Sequence, residues 1–89
     1  MSSDGESPLS FPCEFPVKAM GRQGEDFPDR VLDLVARHAP EAGAGQLRVA
    51  ASRAGRFQSV TVTITATSRA QLDAIYRDLA ADAAVLMTL

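Results

Sequence analysis

At 89 residues the chain has room for one small domain, since a second hydrophobic core would need roughly 50 more residues. Its 46% hydrophobic and 22% charged residues exclude a disordered polyelectrolyte, a collagen-like repeat and a coiled-coil rod. The formal charge of −2 argues against bulk nucleic acid or an anionic membrane as the main partner.

Residues 1–10 are rich in serine, glycine and acid, too polar to repay their ordering entropy, and are expected to form a disordered tail ahead of a single domain over 11–89. They also lack the basic and apolar regions of a secretion signal, and no apolar run in the chain is long enough to span a membrane. The lone cysteine, Cys13, cannot close an internal disulfide. A cytoplasmic location is the resulting expectation.

From Val17 the sequence alternates: Val17, Ala19 and Gly21 on one side, Lys18, Met20 and Arg22 on the other, the period of a half-buried strand. Because proline cannot donate to a ladder, Pro16 predicts that this strand starts no earlier than Val17. Gly21-Arg22-Gln23-Gly24 then reads as a loop, and Pro28 with Asp26 and Asp29 suits a helix's first turn. Val31, Leu34, Val35 and His38 recur at helical spacing, with Asp33 and Arg37 placed for an ion pair one turn apart. Pro40 and the stretch from Gly43 to Gly45 end that helix.

A second strand over Leu47 to Ser52 and a turn at Ser52-Arg53-Ala54-Gly55 lead into the strongest strand signal, Phe57 to Ala66. There Val60, Val62, Ile64 and Ala66 take one face and Ser59, Thr61, Thr63 and Thr65 the other. Ser68 with Gln71 predicts a capping box for a second helix whose stripe is Leu72, Ile75, Tyr76 and Leu79. Val85, Met87 and Leu89 predict a last strand. The order strand, helix, strand, strand, helix, strand predicts an α+β fold. It is a ferredoxin-like βαββαβ two-layer sandwich, with a four-stranded antiparallel sheet in the order 4-1-3-2 and both helices on one face.

Catalytic sets are missing. His38 is the only histidine, so a triad or a metal cluster cannot be assembled in the usual way, and its place at a helix end fits packing or capping. Cys13 has no neighbouring cation or helix N-terminus to activate its thiol. The same strand order carries small acylphosphatases, which hold phosphate in the loop after the first strand, but Glu25 and Asp26 place carboxylates where an anion would have to sit. It also carries RNA-recognition domains, yet the outward face offers Ser59, Thr61, Thr63, Lys18 and Met20 where stacking rings are wanted, with Phe57 as one platform. No enzyme activity, cofactor or metal is expected, and nucleic acid stands only as a further alternative.

Two features remain available for contact. Gly21, Gly24, Glu25 and Asp26 form a loop that combines close backbone approach with two carboxylates able to accept an ammonium group, a candidate small-ligand site. Lys18, Arg53, Arg56, Thr61 and Thr63 form a candidate partner surface on the polar sheet face and its basic hairpin. That face, or the edge strand Leu47 to Ser52, also offers a homodimer contact.

With Phe11-Pro12, Phe15, Lys18 and Met20-Gly21 at the first strand, Arg37-His38-Ala39-Pro40 closing the helix, Ser52, Gly55, Phe57 and Ser59-Val60 at the third strand, and Ala66-Thr67, Tyr76 and Leu79 after it, the chain resembles the YbeD-like family of small bacterial proteins from Phe11 to Leu89. Phe57 and Gln58 stand where that family often has Tyr and His. The resemblance implies a ferredoxin-like fold similar to the ACT regulatory domains, which bind amino acids through the loop corresponding to Gly21 to Asp26. The expected function is a non-enzymatic regulatory, ligand-sensing or adaptor domain. The alternatives are a protein-interaction module without a small ligand and an RNA-binding domain.

Overall fold

A computed structural model describes residues 9–89 of the chain. Its elements are β1 (Cys13–Arg22), α1 (Phe27–Ala36), a 3₁₀ turn (Ala44–Gln46), β2 (Leu47–Ala51), β3 (Phe57–Ala66), α2 (Arg69–Ala81) and β4 (Val85–Thr88). The strands form one antiparallel sheet in the order β2-β3-β1-β4, as the ferredoxin-like reading requires. The tail expected over residues 1–10 lies largely outside the described residues, and Leu9 is half-buried against the core.

One core joins the two layers. Val17 and Ala19 of β1 and Val60, Val62, Ile64 and Ala66 of β3 face Val31, Leu34 and Val35 of α1 and Leu72, Ile75 and Leu79 of α2. Both helices therefore cover the same face of the sheet. The β1–β3 register sets Pro16 opposite Thr63, Lys18 opposite Thr61 and Met20 opposite Ser59, so these residues share the uncovered face.

β1 starts at Cys13, four residues before the expected Val17. Pro16 is tolerated because of where its nitrogen points. The Leu89 amide donates to the Lys18 carbonyl at 3.0 Å, so the even-numbered backbone groups of this strand turn toward the β4 side. β4 pairs only with Ala19, Met20 and Gly21. Pro16 thus lacks an amide where, among the described residues, no strand asks for one.

The helix termini depart from the predicted pattern in an informative way. Ser68 Oγ accepts from the Gln71 amide at 3.0 Å, as a cap should. The Gln71 side chain, however, accepts from the Thr67 amide at 2.7 Å and donates to the His38 carbonyl at 2.8 Å. It ties the start of α2 to the end of α1 instead of closing a box on Ser68. Arg37 likewise lies 3.9 Å from Asp78 of α2, where His38 Nε2 already meets the same carboxylate at 2.7 Å, and it does not pair with Asp33. Bonds between helices displace the expected bonds within one.

Candidate functional site

The loop between β1 and α1 is built on two inward residues. Gly21 is buried at the irregularity in the β1–β4 pairing, and a Cβ there would lie 2.5 Å from the Phe27 ring and 2.7 Å from the Ala84 carbonyl. The missing side chain lets the first residue of α1 pack directly on the strand. Gln58 of β3 is 2% exposed, and its Nε2 donates to the carbonyls of Arg22 at 3.1 Å and Gly24 at 2.8 Å. These bonds satisfy the donors of the buried amide and fix the loop's path. A third tie runs from the Gln23 amide to the Arg56 carbonyl at 2.8 Å, joining the loop to the hairpin.

So held, the loop forms one wall of a cleft of about 320 Å³ whose other wall is the turn between α2 and β4. Gly24, Glu25 and Asp26 line it, whereas Gly21 lies beneath and acts through packing. Phe27, Ala84 and Leu86 supply apolar surface, and Arg30 reaches in from α1. Arg30 Nε donates to both carboxylate oxygens of Asp82 at 2.9 Å, which leaves its terminal nitrogens without a hydrogen-bond partner among the described residues. Glu25 and Asp26 have no ion-pair partner among the described residues either. The cleft therefore carries the Glu25 and Asp26 carboxylates and the Arg22 guanidinium on its loop side and Arg30 on its helix wall, with apolar area between.

Asp82 anchors the second wall. The Ala84 amide, bonded to it at 2.9 Å, holds its carboxyl below the usual aspartate value; partial burial opposes this, and Arg30 reinforces it. Since the folded value is the lower one, Asp82 contributes stability that is complete above the ordinary carboxylate range and is lost as pH falls through the folded value. Asp82→Asn is accordingly expected to flatten the acid limb of a stability–pH curve measured by urea unfolding while leaving the neutral-to-alkaline limb parallel to the parent's.

The candidate partner residues lie elsewhere. Lys18, Thr61 and Arg48 form one row across β1, β3 and β2 on the uncovered face, and Thr63 sits one pair along, opposite Pro16. Arg53 and Arg56 are exposed in the hairpin turn. That turn closes with the Ser52 amide on the Phe57 carbonyl at 2.8 Å, and its Gly55 adopts φ 74°, a conformation that favours glycine. Phe57, the one ring the sequence offered for base stacking, has the Arg22 guanidinium 6.0 Å from its centre.

Sequence reasoning missed Arg30, Phe27, Leu86 and the turn before β4 as cleft residues, because they come together only when β4 docks beside β1. Gln58 was findable. The alternation of β3 points its even-numbered residues inward, so an amide at that position had to be buried and had to find partners.

No helix among the described residues is long and apolar enough to cross a membrane. Residues 6–89 match the family model described as "Protein of unknown function (DUF493)". The chain is 47% identical to a UPF0250 protein of Azotobacter vinelandii, covering 98% of this chain and 97% of that one. It is 40% identical to a UPF0250 protein of Chromobacterium violaceum over the full length of both. Among solved structures it is similar to protein HP0495 from H. pylori, with a TM-score of 0.71, 17% identity, and coverage of 100% of this chain and 94% of that one. The last likeness bears on the fold alone and agrees with the ferredoxin-like sandwich.

Proposed function

We propose, for a chain that belongs to the DUF493 family of proteins of unknown function, that it works by binding, as a regulatory domain sensing a small zwitterionic metabolite in the cleft between the β1–α1 loop and the α2–β4 turn. The observation that carries this reading is the presence of both charge signs within one cleft, the Glu25 and Asp26 carboxylates with the Arg22 and Arg30 guanidiniums. Glu25 and Asp26, unpaired among the described residues, can accept an ammonium group, and the outer nitrogens of Arg30, likewise unpaired there, can meet a carboxylate. Phe27, Ala84 and Leu86 offer the apolar contact a side chain would need. The volume lies at the small end of ligand pockets, which suits a ligand of amino-acid size.

Titration of isotopically labelled protein with a panel of amino acids and related amines and acids tests the reading. At millimolar ligand, the expected amide shifts are confined to Gly24–Arg30 and Asp82–Leu86. The Glu25→Gln, Asp26→Asn double variant should weaken them about tenfold, equivalent to roughly 1.4 kcal/mol. Shifts absent from both walls across the whole panel would remove the small-ligand reading.

A further inference from the structure

A second surface carries an inference independent of the cleft. Of the residues in the four strands, Glu14 is the one acid, whereas Lys18, Arg22 and Arg48 are cations, all on the face the helices leave uncovered. Arg53 and Arg56 extend this positive character into the hairpin at the end of the sheet. Among the described residues, the remaining acids, including Asp29, Asp33, Asp73, Asp78 and Asp82, belong to the helical layer and its loops. Among the described residues the sheet face and its hairpin are thus net positive and the helical layer net negative, in a chain of formal charge −2.

The positive side also has relief. Ala50 and Ser59 are small and stand between the larger Met20 and Phe57, leaving a dent of about 110 Å³ in the row next to Lys18, Thr61 and Arg48. Beside it Met87, paired with Met20, is 49% exposed and extends the apolar rim. We infer that this bare face docks an acidic, extended protein segment, its carboxylates on Lys18 and Arg48 and one aliphatic side chain in the dent between Met20 and Phe57.

The spacing supports this occupant. Lys18 and Arg48 lie two strands apart, about 10 Å at the backbone, and same-side residues of an extended chain repeat every ~7 Å, so carboxylates on two alternate residues come within reach of both flexible cations and the next same-side residue can supply the aliphatic side chain. Single-stranded nucleic acid fits worse. It needs open aromatic faces, and the lone ring here already carries a guanidinium. A second copy stacked by the same face would oppose like charges across a two-fold axis.

The test uses a short capped peptide of alternating glutamate and threonine around one central leucine, added to labelled full-length protein at low salt. Shifts are expected at Lys18, Arg48, Ser59 and Thr61, and the Lys18→Glu, Arg48→Glu pair should weaken binding about tenfold or more. The lysine-for-glutamate peptide should give none, and the glycine-for-leucine peptide should spare Met20 and Ser59. Because Lys18 is half-buried, Arg53→Glu with Arg56→Glu in the exposed turn serves as the second variant, expected to weaken binding severalfold with the thermal unfolding midpoint unchanged. Four results would overturn the assignment: no response on the sheet face; equal shifts at Arg69 and Arg77; stronger binding of an oligouridylate to the same residues; or self-association through this face without peptide.

Discussion

Gly21→Ala is expected to lower the unfolding free energy by about 3 kcal/mol, the upper end of the usual cost of overpacking a well-filled site. The added carbon would lie 2.5 Å from two atoms of the Phe27 ring and 2.7 Å from the backbone oxygen of Ala84. A ring can turn aside, but the carbonyl belongs to the turn that positions β4 and has no cheap way to retreat. The loss should therefore appear as a lower denaturant midpoint, together with displaced resonances in Phe27 and Ala84. Gly24→Ala makes the internal control. Its nearest neighbour would be the Arg22 carbonyl at 4.0 Å, and its stability should stay within about 0.5 kcal/mol of the parent. Equal effects at the two glycines would show that the first is not a packing requirement.

Gln58→Ala is expected to cost about 2 kcal/mol, from the emptied volume and from two loop carbonyls stripped of their donor. Gln58→Met separates these contributions, since it restores volume without an amide and should recover roughly half of the loss. The loop should report the change more strongly than the core. Hydrogen exchange at Gln23 and Phe27, whose amides bond to Arg56 and Gly24, is expected to accelerate in both variants. Ligand affinity in the proposed cleft should fall with it, because Glu25 and Asp26 sit on the segment that Gln58 holds. If exchange in the loop were unchanged while stability fell, Gln58 would be a core residue and nothing more.

How much of this was legible in the residues follows from which forces act locally. The alternation of Phe57 to Ala66 showed both faces of β3, and the inward set matched Val31, Leu34 and Val35 as one core, so the layering came from periodicity, and the strand order from right-handed crossovers and a hairpin applied to the element order. Pro16 misled because the rule against proline in a strand concerns the direction of its nitrogen, and that direction depends on how far β4 extends, which no local pattern encodes. Gln71 and Arg37 misled for a related reason. Each had a plausible partner within its own helix, and the approach of the two helices supplied a different one in His38 and Asp78. The site divides the same way. Gly24, Glu25 and Asp26 were visible as a loop composition, whereas Arg30 and Leu86 joined them only through tertiary docking.

Pro16 has one more consequence. Exposed strand borders invite pairing with other molecules, and the early part of β1 projects past the end of β4 with its even-numbered carbonyls and amides facing that border. A ring nitrogen in the middle of that row interrupts the ladder a foreign strand would have to form. Pro16 thus makes this border a poorer template for intermolecular strand addition.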